Sequence, residues 1–286
     1  MKSKVETSLA AEKKKKKELR HEKLRQIISS SIPLSNDVFM IFAKNKEFCQ
    51  EFLRVILQDE RLVVIENDIQ KYLPTAFSKT VVIDMLCKLG DERLVNVEIQ
   101  LTDEEYHAKR ILHYASKIKS YTTSKGTDYK DIKDLIIVYL TLDDIFKKGS
   151  TVYEVAMNVV SDQGITIEEW DAGLKVYYVN TKGLTNESIN EYLKILTDRT
   201  TSNSKYSITS IIKNEVFKTG GMNMSKEMME ILAEEREEGR EEGRVEGREE
   251  GKISVLINLV KDKLLSVADA AKRLNMSEDQ FEALVK

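Results

Sequence analysis

The stretch Val81–Gln100, VVIDMLCKLGDERLVNVEIQ, decides the fold. Val81–Lys88 is rich in β-branched and apolar residues, and Leu94–Gln100 alternates less polar with more polar positions, so both read as strands. Gly90-Asp91 between them supplies the backbone freedom a hairpin wants. Both strands carry residues that strands do not favour. Asp84 interrupts an apolar run, and Glu98 and Gln100 share one face of the second strand. A buried carboxylate is costly unless something compensates it, and a divalent cation compensates two that face each other. Opposed residues of an antiparallel pair have numbers of constant sum. Lys88 facing Leu94 gives 182 and sets Asp84 opposite Glu98; Lys88 facing Glu92 gives 180 and makes the two acids diagonal neighbours. Either register puts both carboxylates on one face and requires a loop of three or five residues. A two-residue loop gives an odd sum and separates them.

Upstream, Pro33 closes a charged arm, and Ser35 or Asn36 can cap a helix starting at Asp37, with Phe39, Phe42 and Ala43 as its apolar face. A second helix over about Lys46–Leu57 places Phe48, Phe52, Leu53 and Ile56 at helical spacing. A short strand, Leu62–Glu66, and a loop with Pro74 lead into the hairpin. Downstream, Asp103-Glu104-Glu105 opens a helix to about Ser124, on which Arg110, His113, Tyr114 and Lys117 cluster beside the apolar face. Leu135–Leu142 is a nearly continuous apolar strand, as expected at a sheet centre. Alternating strands at Tyr153–Val160 and Leu174–Val179 and helices at Glu187–Asp198 and Ile208–Phe217 complete an α/β core. Asp143-Asp144, just after the central strand, reads as turn chemistry.

An aspartate on one strand and E-x-Q on the next resembles the active site of the PD-(D/E)XK nucleases. The surroundings resemble the Rpn family within that superfamily, the recombination-promoting nucleases and transposases. That family opens a helix with D-x-x-F, and the chain has Asp37-Val38-Phe39-Met40-Ile41-Phe42; its lysine after the phenylalanine is Met40 here. The D…E-x-Q hairpin follows, then a helix with R-x-x-x-Y, here Arg110 and Tyr114, and a Gly/Glu/Arg-rich tract near the C-terminus. The resemblance implies a restriction-endonuclease-like core with a central mixed sheet flanked by helices. It implies a DNA endonuclease that hydrolyses phosphodiester bonds with metal-activated water. Asp84, Glu98 and Gln100 are then the expected catalytic residues, and Asp84, Glu98 and Asp37 the expected ligands of Mg²⁺ or Mn²⁺. Arg110, Tyr114 and Lys117 are the expected phosphate contacts. In the wider superfamily a lysine stands where this chain has Gln100, which can orient a water but carries no charge. The rival reading is a catalytically inactive DNA-binding or oligomerising protein.

The expected organisation is a basic arm over 1–32, a nuclease-like domain over 33–222, a charged helix over 223–252 and a small helix-turn-helix-like segment over 253–286. The first 25 residues carry ten Lys/Arg against four Glu, which suits either a solvated arm or one that contacts phosphates. Gly239, Gly243, Gly247 and Gly251 recur every four residues, in step with Arg236, Arg240, Arg244 and Arg248. Four interior glycines cost about 1 kcal/mol each, more than i,i+3 Glu–Arg pairs return. The tract is therefore a solvated connector, or a helix whose glycine stripe packs on a partner such as a second copy of the chain. The net charge of −3 says nothing by itself about nucleic acid. Cys49 and Cys87 suit buried free thiols rather than a disulfide framework, and His21, His107 and His113 are too scattered for a metal cluster. No apolar run approaches the roughly 20 residues of a membrane span, and the basic N-terminus lacks the apolar core of a secretory signal, so a cytoplasmic location is expected.

Overall fold

A computed structural model describes residues 26, 28, 30–73, 81–101, 105–218, 251–274 and 276–285. The expected basic arm and nearly all of the Gly/Glu/Arg tract lie outside the described residues, as do Pro74, Asp103 and Glu104. The chain divides into two compact units, Met1–Lys226 and Glu227–Lys286.

The first unit is built on a six-stranded mixed sheet. Its strands are β1 (Val64–Leu73), β2 (Val81–Leu89), β3 (Leu94–Gln100), β4 (Leu135–Thr141), β5 (Val152–Glu154) and β8 (Leu174–Asn180), in spatial order β1-β2-β3-β4-β8-β5. β1, β2 and β3 pair antiparallel, β3, β4 and β8 pair parallel, and β5 closes the far edge antiparallel. The apolar run 135–141 is buried at every position, as its place between two parallel neighbours requires.

The hairpin adopts the register of sum 182: Lys88 pairs with Leu94 and Met85 with Val97. Leu89 N–H donates to Arg93 O (2.9 Å), leaving a three-residue loop, Gly90-Asp91-Glu92, in which Glu92 takes the left-handed conformation (φ 71°). β1 is longer than its apolar content suggests. Its polar run is stabilised as an edge strand paired to β2 along most of its length, with a register shift between Val64 and Glu66.

Helices α1 (Asn36–Ala43) and α2 (Lys46–Leu57) pack on β1 and β2. Ser35 holds the cap position of α1, but its hydroxyl donates to Ile32 O instead of capping. Asn45 caps α2 by accepting from Phe48 N–H. The rings of Phe39, Phe42, Phe48 and Phe52 meet edge-on or tilted at 5.4 to 6.0 Å, and Phe52 continues to Tyr192. Each such ring contributes about 2–3 kcal/mol through burial. Helix α3 (His107–Thr122) begins later than the acidic 103–105 run suggests and buries Ile111, Ala115 and Ile118 over β4 and its neighbours. Helices α4 (Glu187–Thr197) and α5 (Ser207–Lys218) follow, and the Glu51 carboxylate accepts from Ile208 N–H, Thr209 N–H and the Thr209 hydroxyl at the start of α5.

The expected strand Tyr153–Val160 is two elements. β5 ends at Glu154, and β6 (Asn158–Val160) pairs with β7 (Thr166–Glu169) as a separate exposed ribbon. In the second unit, residues 251–261 are helical, followed by α7 (Val267–Arg273) and α8 (Glu278–Val285) around Leu256, Ala270, Ala271 and Phe281. Ser266 caps α7, and Ser277 and Gln280 exchange backbone N–H bonds at the start of α8, as a capping box does. No described helix is long and apolar enough to cross a membrane.

Gly183, after β8, crosses Thr151, before β5. A Cβ at Gly183 would fall on the backbone of Thr151, far inside van der Waals contact. Thr151 in turn bonds the Thr185 hydroxyl, Thr185 N–H, Asn186 N–H and Asn190. Gly183→Ala therefore forces backbone apart and is expected to destabilise the first unit by about 3 kcal/mol, read as a lower urea midpoint with unchanged m-value. Wild-type stability in that variant would show that the crossing is loose.

Candidate metal centre

The pairing of β2 with β3 stops at Met85/Val97. The next ladder step would join Ile83 to Ile99; instead Asp84 Oδ2 accepts the Ile99 N–H at 2.8 Å. The strands part there, and a side-chain carboxylate fills the place of a backbone carbonyl. One step along the same face, Glu98 is 2% exposed, and its Oε1 accepts from Asn96 Nδ2 at 3.0 Å. Gln100, 9% exposed, ends the strand.

Burial raises the Asp84 carboxyl to about 6, against smaller opposing effects of the Ile99 N–H and the Arg110 charge. Glu98 is pushed well above the ordinary range, first by burial and then by the Asp84 charge; the Asn96 amide and Arg110 oppose this. The two acids therefore lie close enough to repel each other, in a setting that disfavours charge on either.

α3 brings a cation over this pair. Arg110 Nη1 donates to Gln100 Oε1 at 3.0 Å, and Arg110 Nε to Tyr114 Oη at 3.2 Å. The guanidinium also lies 5.4 Å from the Tyr114 ring centre. Burial and the nearby Glu98 raise the Tyr114 hydroxyl, so it stays protonated. Lys117 is half-buried on the next turn.

Five of the seven expected residues, Asp84, Glu98, Gln100, Arg110 and Tyr114, thus form one connected site. Asp37 stands half-buried in the first turn of α1. Among the described residues, no group of three or more His, Cys, Asp or Glu side chains could hold a metal ion. Asp37 stands two residues before Phe39, and the residue three before it is Asn36, which is exposed. Asn96 was overlooked, although the alternation that singles out Glu98 and Gln100 extends back to it. Its side chain is fully buried, and its Oδ1 has no hydrogen-bond partner among the described residues. Cys49 and Cys87 are free and buried, with Cys49 Sγ 3.5 Å from Met85 Sδ.

Asp143 and Asp144 act as loop residues. Asp143 pairs with Lys182, and Asp144 accepts from the N–H groups of Phe146, Lys148 and Gly149 and from the Tyr153 hydroxyl.

No curated protein and no solved structure matches the sequence. The family described as PD-(D/E)XK nuclease family transposase matches residues 40–253, which include the whole sheet, the hairpin acids and the Arg110–Tyr114 helix. The mixed sheet, the carboxylates at its parting strands and this match over most of the chain lead to one assignment: the protein belongs to the PD-(D/E)XK nuclease family transposases.

Proposed function

We propose that the protein is a DNA endonuclease that uses Mg²⁺ or Mn²⁺ to hydrolyse phosphodiester bonds at the Asp84–Glu98 centre. One observation carries this reading. Two carboxylates from adjoining strands are buried together, burial holds both in the protonated direction and the Asp84 charge raises Glu98 further, where a hard cation would relieve them. Family membership points the same way, since such nucleases typically use divalent ions. The donor set fits Mg²⁺, which is commonly held by one or two carboxylates, with waters and substrate phosphate completing its shell. When bound, the ion supplies Lewis acidity and lowers the pKa of a coordinated water.

The remaining roles belong to the chain. Asp84 and Glu98 hold the ion, and Gln100 presents an amide that orients water. The positive charge that the superfamily lysine would carry comes from Arg110, whose guanidinium sits 3.0 Å from the Gln100 oxygen. Its planar fork suits a phosphate oxygen pair. Tyr114 is a positioning residue that fixes Arg110 from below, and Lys117 extends the phosphate-facing edge.

Asp84→Ala is expected to abolish Mg²⁺-dependent nicking of supercoiled plasmid; an unchanged rate would remove Asp84 from the reaction. Stability tests the same centre without turnover. Both carboxyls bind protons more tightly folded than unfolded, so in EDTA they penalise the folded state increasingly as pH rises from about 4 through 6. Asp84→Asn keeps an acceptor for Ile99 N–H and removes the charge. In EDTA at pH 7.5 it should melt above wild type, by up to about 3 kcal/mol in stability, with the gap closing as pH falls below 5. Millimolar Mg²⁺ should raise the wild-type melting temperature and leave the variant unmoved. A variant less stable than wild type in EDTA would contradict the cost of burying the Asp84 charge.

A further inference from the structure

The face that carries the acids continues across the sheet as a row of tyrosines. In register, Glu98 pairs with Tyr139, Tyr139 with Tyr178, and Tyr178 with Tyr153. Tyr139 and Tyr178 are buried and meet edge-on at 5.5 Å. Phe146, from the loop after β4, lies over the far end of the row, 4.9 Å from Tyr178 and 4.8 Å from Tyr153 between ring centres. His107, at the start of α3, meets Phe146 edge-on at 6.0 Å and bonds the Tyr178 hydroxyl at 2.8 Å. The Phe146 ring is supported from beneath yet 39% exposed. Tyr106, which precedes His107 in the chain, is 69% exposed, and Lys109 Nζ stands 5.2 Å from its ring centre.

Three features single this rim out. The Phe146 loop is rigid, because Asp144 accepts three of its N–H groups and the Tyr153 hydroxyl. It carries Lys147 and Lys148 beside the ring, both exposed, while Asp143 is paired with Lys182. It also follows the strand ends on the side of the acids, where Gln100, Thr141 and Asn180 end their strands in register. Tyr178 lies two strand spacings from Glu98, about 10 Å. Exposed aromatic faces interleaved with lysines suit a single nucleic-acid strand, whose bases stack on rings while its phosphates meet the cations. Duplex DNA offers no free base face here.

We propose that Phe146, with Tyr106 next to His107 in the chain, is a stacking platform for unpaired bases next to the scissile phosphate, so that the preferred substrate is single-stranded or locally opened DNA. This rests on the nuclease reading above.

The test uses the full chain with Asp84→Asn, to prevent cleavage, and Trp170→Phe, to remove the only native indole. Phe146→Trp then reports stacking. A single-stranded oligonucleotide should quench the introduced indole at least twofold; a strand of equal length that is abasic throughout, and a blunt duplex, should not. In parallel, Phe146→Leu, which keeps packing bulk but not the ring face, should weaken single-strand binding about tenfold by anisotropy, with circular dichroism confirming its fold. Binding without quenching, or equal affinity in Phe146→Leu, overturns the platform and leaves the nuclease reading intact. Binding to neither strand form overturns both.

Discussion

The structure depends on one substitution of hydrogen-bonding partners: a carboxylate oxygen of Asp84 takes the N–H of Ile99, where the antiparallel ladder would supply a backbone carbonyl. That exchange ends the pairing of β2 with β3. It also holds Asp84 beside Glu98, although burial works against the ionisation of both and the Asp84 charge works against that of Glu98. A fold that places two half-compensated acids together spends stability there, as functional sites commonly do.

The rest of the first unit is arranged around that break. The phenylalanine cluster of α1 and α2 covers the strands from one side. On the other, α3 buries Ile111, Ala115 and Ile118, and that anchoring sets the height of Arg110 above the acids. Arg110 is held through Gln100 and Tyr114, so the charge over the site is fixed by two hydrogen bonds instead of by a flexible stem. The glycine crossing at Thr151 and the Asp144 clamp position the neighbouring loop with similar economy.

Much of this was legible in the sequence, for local reasons. Period-two alternation and a Gly-Asp turn are enough to give the hairpin, and constant-sum arithmetic narrows its register to the acids sharing a face. The continuous apolar run at 135–141 announced the central strand, and α2 matched its expected bounds. What escaped depended on partners distant in the chain. β1 owes its length to β2 and not to its own polar residues. The β6–β7 ribbon consists of short runs whose alternation merges with that of β5. A metal role for Asp37 rests on motif likeness alone, and its spacing to Phe39 is one residue shorter than D-x-x-F. The tyrosine row could not be seen at all without the strand order, because its members lie on three separate strands.

The most direct test is crystallographic: anomalous diffraction from crystals of the protein grown with Mn²⁺. A peak about 2.2 Å from oxygens of both Asp84 and Glu98 is the predicted result. Well-ordered side chains with no peak between them, or a peak bound only elsewhere on the chain, would contradict the account.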